Sequence, residues 1–381
     1  MRVSQITLKK IDDFNKPASI PSNPEAKLLL VFGDITYFKA TNFVATLRQQ
    51  YPNASLLGCT TAGEIAGEGV NDGSCVLTAV NFEKTQVIAA STSLPNMEAS
   101  QATGEALAKQ IPLDGLKAVL VYGPGLGING SALVRGIESV IGNKTPITGG
   151  LAGDAGAFTQ TFTLGKDGVS DNTVVAVGLY GDALNFQHGS FGGWEPFGPA
   201  RKVTRCDGNV LYELDGEPAL EVYKRYLGDY AKDLPASGLL FPFQMLTKNG
   251  DEDGLIRTIL AVDAEQGSLT LAGEIDGEGS LRLMHTSTDG LVDGAEKAAE
   301  IAIKGANTDA ESALGILVSC VGRKLVMGDR VEEEVEVVGD LFGKKTTLTG
   351  FYSYGEISPF VPADSCRLHN QTMTITCISE S

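Results

Sequence analysis

Continuous apolar runs punctuate the chain at 28–32, 119–122 and 316–319, and each reads as a buried strand. A later apolar run follows each of them, at 76–82, 173–180 and 372–378. Between them the apolar positions recur every three or four residues, which predicts helices over 37–51, 130–141 and about 323–338. Asn129 is the expected N-cap of the second. The same spacing predicts helices at 99–110, 219–227 and 289–304. Strands are expected at 55–57, 160–164, 238–246, 256–262, 268–272 and 280–284, with turns at 166–168 and 248–254. The runs 75–82 and 86–91 read as strands paired around a turn at Glu83-Lys84. The stretch 185–205 differs in character, being rich in Gly, Pro and aromatic residues and holding the single tryptophan, Trp194.

One short stretch is used three times: Gly58-Cys59-Thr60-Thr61-Ala62-Gly63-Glu64-Ile65, Thr148-Gly149-Gly150-Leu151-Ala152-Gly153-Asp154-Ala155 and Gly350-Phe351-Tyr352-Ser353-Tyr354-Gly355-Glu356-Ile357. Each carries a glycine followed by an acid, between two β-rich runs. Internal repetition of this kind sets the fold class: α/β, a two-domain mixed-sheet sandwich with helices on the outer faces and internal βαβ-type repeats. Asp215-Gly216-Glu217-Pro218 is the strongest boundary signal. It divides the chain into domains 1–214 and 215–381.

The formal net charge of −17 argues against nucleic acid and anionic lipid as partners, since both need a positive field. No apolar run reaches membrane-spanning length and no secretory signal opens the chain, so a cytoplasmic protein is expected. The six cysteines show no CxxC spacing and read as reduced thiols.

Nucleotide and hydrolase motifs are missing. Gly123-Pro124-Gly125-Leu126-Gly127 has the wrong third-glycine spacing, and no GxxxxGK[ST], GxSxG or HExxH occurs. The turn acids Glu64, Asp154 and Glu356 can accept hydrogen bonds from a neighbouring loop or from a polar ligand; repetition favours the structural role for most of them. Cys320, followed by Arg323, carries the pattern of a thiolate beside a cation, against the reading of a small apolar residue at a strand end. Of the histidines, His369 heads the last strand, His188 lies in the aromatic stretch near Trp194 and Phe197, and His285 follows Met284 at a strand end. A neutral imidazole there can ligate a metal.

With these residues assembled, the chain resembles the FIST family of two-domain bacterial sensory proteins. The N-terminal half is similar through Leu57-Gly58-Cys59-Thr60-Thr61-Ala62-Gly63-Glu64-Ile65, Gly150-Leu151-Ala152-Gly153-Asp154 and Gly193-Trp194-Glu195-Pro196-Phe197-Gly198-Pro199. The C-terminal half is similar through Glu213-Leu214-Asp215-Gly216-Glu217-Pro218-Ala219-Leu220, Ser319-Cys320-Val321-Gly322-Arg323, Gly350 to Ile357 and His369-Asn370-Gln371-Thr372. The resemblance implies a small-molecule sensor, not an enzyme, whose output passes to a separate histidine kinase or diguanylate cyclase, with room for a homodimer. Its sharpest version is a stand-alone branch that binds haem b and senses nitric oxide. That version puts the haem iron on His285, then His188, with Trp194, Met284 and Phe197 as pocket walls. The alternative is a sensor of amino acids or other small polar metabolites, contacted by Glu64, Asp154, Arg323, Glu356, Tyr352 and Asn370. A second alternative is a thiol-dependent enzyme with Cys320 or Cys59 as nucleophile.

Overall fold

The computed structural model describes residues 1–14, 16, 19–249, 252–306, 312–359 and 365–381. Among them the strands form four sheets, three of six strands and one larger. The three six-stranded sheets share one order. In the first, the lead strand Arg2–Leu8 lies beside Cys75–Asn81, followed by Leu28–Gly33, Ser55–Thr60 and the hairpin Thr163–Gly165/Gly168–Ser170. The second runs Gln86–Ser93, Thr173–Tyr180, Leu116–Gly123, Ile147–Leu151, then the hairpin Gly355–Pro359/Cys366–His369. The third runs Leu184–Phe191, Met373–Glu380, Ala313–Cys320, Thr346–Ser353, then the hairpin Glu64–Ala66/Gly69–Asn71. The two middle strands of each are parallel and the others antiparallel, so all three sheets are mixed. Each repeat thus gives its hairpin to another repeat's sheet. The exchange runs in a closed circle: first to third, second to first, third to second.

The inner faces of the three sheets meet in one core. Phe32, Tyr122 and Phe351 form its centre, with ring centroids 4.8–5.6 Å apart. Helices cover the outer faces, as the periodicity predicts: Phe43–Gln50 on the first sheet, Ser100–Ala108 and Gly130–Ile141 on the second, Thr288–Ile303 and Glu333–Phe342 on the third. The fold is mixed α/β with internal βαβ repeats.

Between the lead strand Leu184–Phe191 and the helix Thr288–Ile303 the third repeat carries an insertion. Its strands, from Glu195–Asp207 to Ser280–His285, make the fourth sheet, which packs with helix Ala219–Leu227 around its own core. The stretch rich in Gly, Pro and aromatic residues is therefore largely strand, in Leu184–Phe191 and Glu195–Asp207. The boundary at 214/215 falls in the turn joining Val210–Leu214 to Glu217–Pro218, which pair with each other.

The strand expected over 238–246 begins only at Phe243, after a 3₁₀ turn at Ala236–Leu240. Three further local expectations change, each for a tertiary reason. The helix over 37–51 is two helices, Ile35–Phe38 and Phe43–Gln50. Tyr37 and Phe43 both pack on Phe14. Six residues apart on one helix, they would point about 120° away from each other. The helix over 323–338 is also two, Val321–Met327 and Glu333–Phe342, parted at Gly328 with φ +54°. In one straight helix Arg323 and Glu334 would stand about 16 Å apart; the break brings their side chains into contact. Finally, Cys75–Asn81 and Gln86–Ser93 do not pair. They enter the first and second sheets, and the connection is pinned by Glu380, which accepts the backbone N–H groups of Glu83, Lys84 and Thr85. The turn expected over 248–254 falls partly outside the described residues.

Candidate functional site

The repeated turns are in register through a glycine. Val31 pairs with Gly58, Val121 with Gly149 and Leu317 with Gly350. At each of these a Cβ would stand within 1.9 Å of the partner's carbonyl oxygen. Counted from these glycines, Glu64 and Glu356 are equivalent, and Asp154 comes one residue early. Glu64 is buried and accepts from Thr61 Oγ1, from Ser74 N at 3.0 Å and from Ser74 Oγ at 2.7 Å. Glu356 repeats this with Ser353 Oγ at 3.0 Å, Thr372 N at 3.1 Å and Thr372 Oγ1 at 3.0 Å. Burial outweighs these donors and pushes the carboxyl of Glu64 up to about 7 and that of Glu356 up to about 8. Burial also works against ionised Asp154, but there the donors prevail. They are Tyr354 OH and the N–H groups of Gln160, Thr159 and Phe158, and its carboxyl lies below the ordinary value. All three acids spend their oxygens inside the protein, closing the turns.

Arg323 is fully buried. Its Nε and Nη2 donate to Glu334 at 3.0 and 2.7 Å, Nη1 to Gly192 O at 2.6 Å and Nη2 to Leu291 O at 2.8 Å. Glu334 also accepts from Ser319 Oγ at 2.9 Å and Tyr352 OH at 2.7 Å. The network ties the third sheet to its helices, and burial raises the Tyr352 phenol well above its usual range. Asn370 is buried beside it in sequence to His369, with Oδ1 lacking a partner among the described residues.

The histidines lie apart. His369 is buried, with Nε2 3.0 Å from Ser358 O, and burial lowers it to about 4. His188 is half-buried on Leu184–Phe191, in the third sheet, and burial lowers it too. His285 ends the strand Ser280–His285 of the inserted sheet, edge-on to Phe197 with centroids 5.4 Å apart and next to the buried Met284. Trp194 Nε1 donates to Gln371 O at 2.8 Å. The structure thus brings His285 against Phe197; Met284 precedes His285 on the same strand, where successive side chains face opposite sides of the sheet, and His188 lies in another sheet. Among the described residues no three His, Cys, Asp or Glu side chains gather to hold a metal. The nucleophile reading of Cys320 and Cys59 is corrected. Both are buried, burial pushes both thiols well up, and Cys320 Sγ accepts from Gly322 N.

A cleft of about 540 Å³ lies between the inserted unit and the second repeat. One wall is a single face of helix Gly130–Ile141, with Ser131, Val134, Arg135 and Glu138, joined by Cys366 to Leu368 of the donated hairpin. The other wall comes from the insertion: Met245, Thr247, Leu255, Arg257, and the loop Glu274 to Asp276. Arg257 is buried, donating from Nε to Glu274 O at 3.0 Å and from Nη1 to Leu368 O at 3.3 Å. Arg135 holds Glu274 with a two-pronged contact at 2.6 and 2.9 Å; this pairing lowers the carboxyl and raises the guanidinium. Burial raises the carboxyl of Glu138, which accepts Cys366 N at 2.6 Å. Volume, apolar lining and convergent charge together suit a small polar ligand. Neither this cleft nor the smaller cavity beside Lys344 and Lys345 is lined by a histidine, so neither offers haem an axial ligand.

None of the cleft's charged residues is among those expected from sequence. The available signals were Arg257 inside the apolar run Leu255-Ile256-Arg257, and charges at 135 and 138 on an otherwise apolar helix.

Three strand-exchanging βαβ repeats with an inserted β-unit, and a charged cleft between that unit and the second repeat, define a two-part mixed α/β protein. The chain belongs to the FIST family: the FIST N domain matches residues 27–217 and the FIST C domain residues 219–359. FIST domains are associated with signal-transduction sensing. An uncharacterized protein of Methanocaldococcus jannaschii is 27% identical over 85% of this chain and 67% of its own length. One of Mycobacterium tuberculosis is 28% identical over 50% of this chain, which spans about half (51%) of that relative. Among solved structures, a cyanuric acid hydrolase from A. caulinodans aligns over 100% of this chain and 98% of its own, with 10% identity and a TM-score of 0.39. A second cyanuric acid hydrolase aligns over 100% and 99%, with 8% identity and a TM-score of 0.35. The expectation of a chain without enzymatic activity is corrected by this finding, because the structural neighbours are enzymes. Likeness at this level carries no argument about a reaction or a substrate.

Proposed function

We propose that this protein is a sensor that binds a small zwitterion, an amino acid or a close relative, in the cleft between the inserted unit and the second repeat. The observation that carries this reading is the cleft itself. Arg135, Arg257 and Arg367 share its walls with Glu138, Glu274 and Asp276, around the apolar Val134, Met245, Leu255 and Ile275. A ligand with both charges and a compact body meets both kinds of wall. Each wall belongs to a different part of the fold, so occupancy shifts their relative placement. A separate signalling protein in the cytoplasm, such as a histidine kinase or diguanylate cyclase, would read that shift.

Thermal unfolding against the common amino acids tests this. A ligand at about a hundred times its Kd adds about 2.7 kcal/mol of stability, a shift of a few degrees. Arg367→Gln, at an exposed position on the cleft wall, should weaken the shift without lowering the unliganded Tm. A flat response to every amino acid would remove the reading. The haem and nitric oxide version draws its support from the contact of His285 with the ring of Phe197. Its test is an absorption spectrum of protein from haem-fed cells. A Soret band abolished by His285→Ala would move the ligand site from the cleft to the inserted sheet.

A further inference from the structure

Glu274 belongs to the inserted unit, yet its carboxylate is held almost wholly by the other wall. Arg135 Nη1 and Nη2 donate to its two oxygens at 2.6 and 2.9 Å, and Asn129 Nδ2 donates at 2.8 Å. Asn129 uses its own Oδ1 to cap the same helix, accepting Ala132 N at 2.9 Å. The carboxylate therefore bridges the N-cap and the second turn of the cleft-lining helix and fastens the inserted loop to it.

The second tie across the cleft is of another kind. Arg257 is only 3% exposed and reaches the backbone carbonyl of Leu368 from inside the wall. The Arg135 and Glu274 side chains keep 50% and 34% of their exposure and line the open cleft. Surface ion pairs contribute little to stability, so replacing one carboxylate by another on Arg135 costs little. Breaking the buried Arg257 contact would cost several times more. The exchangeable tie is thus Arg135 with Glu274.

We infer that Glu274 is a built-in competitor for the ligand. A small carboxylate-bearing molecule takes its place on Arg135, frees the loop 272–276 from the helix Gly130–Ile141, and so loosens the inserted unit. Asp276 and Glu138, on the same walls, then face the cationic end of the ligand. This rests on the reading of the cleft as the ligand site. Coupling is reciprocal: whatever weakens the latch tightens the ligand.

Glu274→Gln tests it. The amide keeps an acceptor for Asn129 and loses the charge that holds Arg135. Amino-acid affinity by calorimetry should rise roughly fivefold or more in this variant. A purely structural role predicts the reverse, a weaker site. Hydrogen exchange at the amides of 130–133 and 272–276 should be faster in ligand-free Glu274→Gln than in ligand-free wild type, and should match ligand-saturated wild type. High sodium chloride should speed the same amides in wild type and leave the variant unchanged. Arg135→Lys, which lacks the two-pronged donor, should lose affinity while exchanging fast. Binding to wild type with unchanged or weakened affinity in Glu274→Gln overturns the latch and leaves the cleft reading standing. No binding to wild type by any amino acid overturns both.

Discussion

Glu64 and Glu356 show how a polar residue can be conspicuous in sequence and still serve the fold. Both are fully enclosed and supplied with donors by Ser or Thr neighbours. Their pH behaviour follows from burial. A carboxyl near 4.5 in the unfolded chain and about 7 or about 8 in the folded one binds its proton more tightly when folded. Stability from these groups is complete below pH about 4.5 and is lost as pH rises through the folded values. For Glu64 the loss is roughly 3 kcal/mol. Chemical denaturation between pH 5 and 8 should therefore show stability falling with pH, and Glu64→Gln should flatten the part of the curve centred below pH 7. A wild-type curve that rises over this range would show that the donors, not burial, control the group. Arg323 and Tyr352 carry the same lesson without a titration. Their polar atoms are consumed by Glu334 and by backbone carbonyls, and the partner sits on a separate helix that residue type alone does not announce.

At the scale of the element, the three-fold use of one stretch is explained by a backbone contact more than by the acid. Gly58, Gly149 and Gly350 each let a strand pass against the carbonyl of its parallel neighbour, at Val31, Val121 and Leu317. A methyl group there has nowhere to go, because backbone on one side and the packed centre on the other leave no flexible side chain to yield. Gly58→Ala or Gly350→Ala should each cost about 3 kcal/mol or prevent folding. By contrast, Gly73→Ala, at an open turn with φ +70°, should cost about 1 kcal/mol through the backbone alone. Equal losses at Gly58 and Gly73 in urea melts would contradict the close-approach argument. The helix pairs at 35–50 and 321–342 belong to this scale too. Periodicity located both as helical, while the breaks answer to Phe14 and to the Arg323–Glu334 pair, which lie outside the periodic pattern.

The whole molecule is joined by exchange. Residues 1–214 give the hairpin Glu64–Asn71 and the lead strand Leu184–Phe191 to the third sheet, and residues 215–381 return Gly355–His369 to the second. The central rings of Phe32, Tyr122 and Phe351 come from both parts. Expressed separately, 1–214 and 215–381 should each bind a hydrophobic dye and melt without a sharp transition. Expressed together, they should assemble and recover one. Two independently cooperative halves would show that the exchanged hairpins are peripheral to stability.

Local pattern was enough to establish much of this protein. Apolar periodicity locates the strands and helices, repetition of the glycine-bearing stretch reveals the βαβ units, and the ordered motifs match the FIST family, because each is written within a few adjacent residues. What needed the tertiary structure was pairing. Which sheet receives a hairpin, which carboxylate meets which guanidinium, and that Arg135, Arg257 and Glu274 converge on one cleft depend on residues as far apart in sequence as Glu64 and Phe351, or Arg135 and Glu274. Such contacts leave little local signature. A charged side chain on a helix face looks the same in sequence whether it meets water or the opposite wall of a binding site, and only the folded backbone decides which.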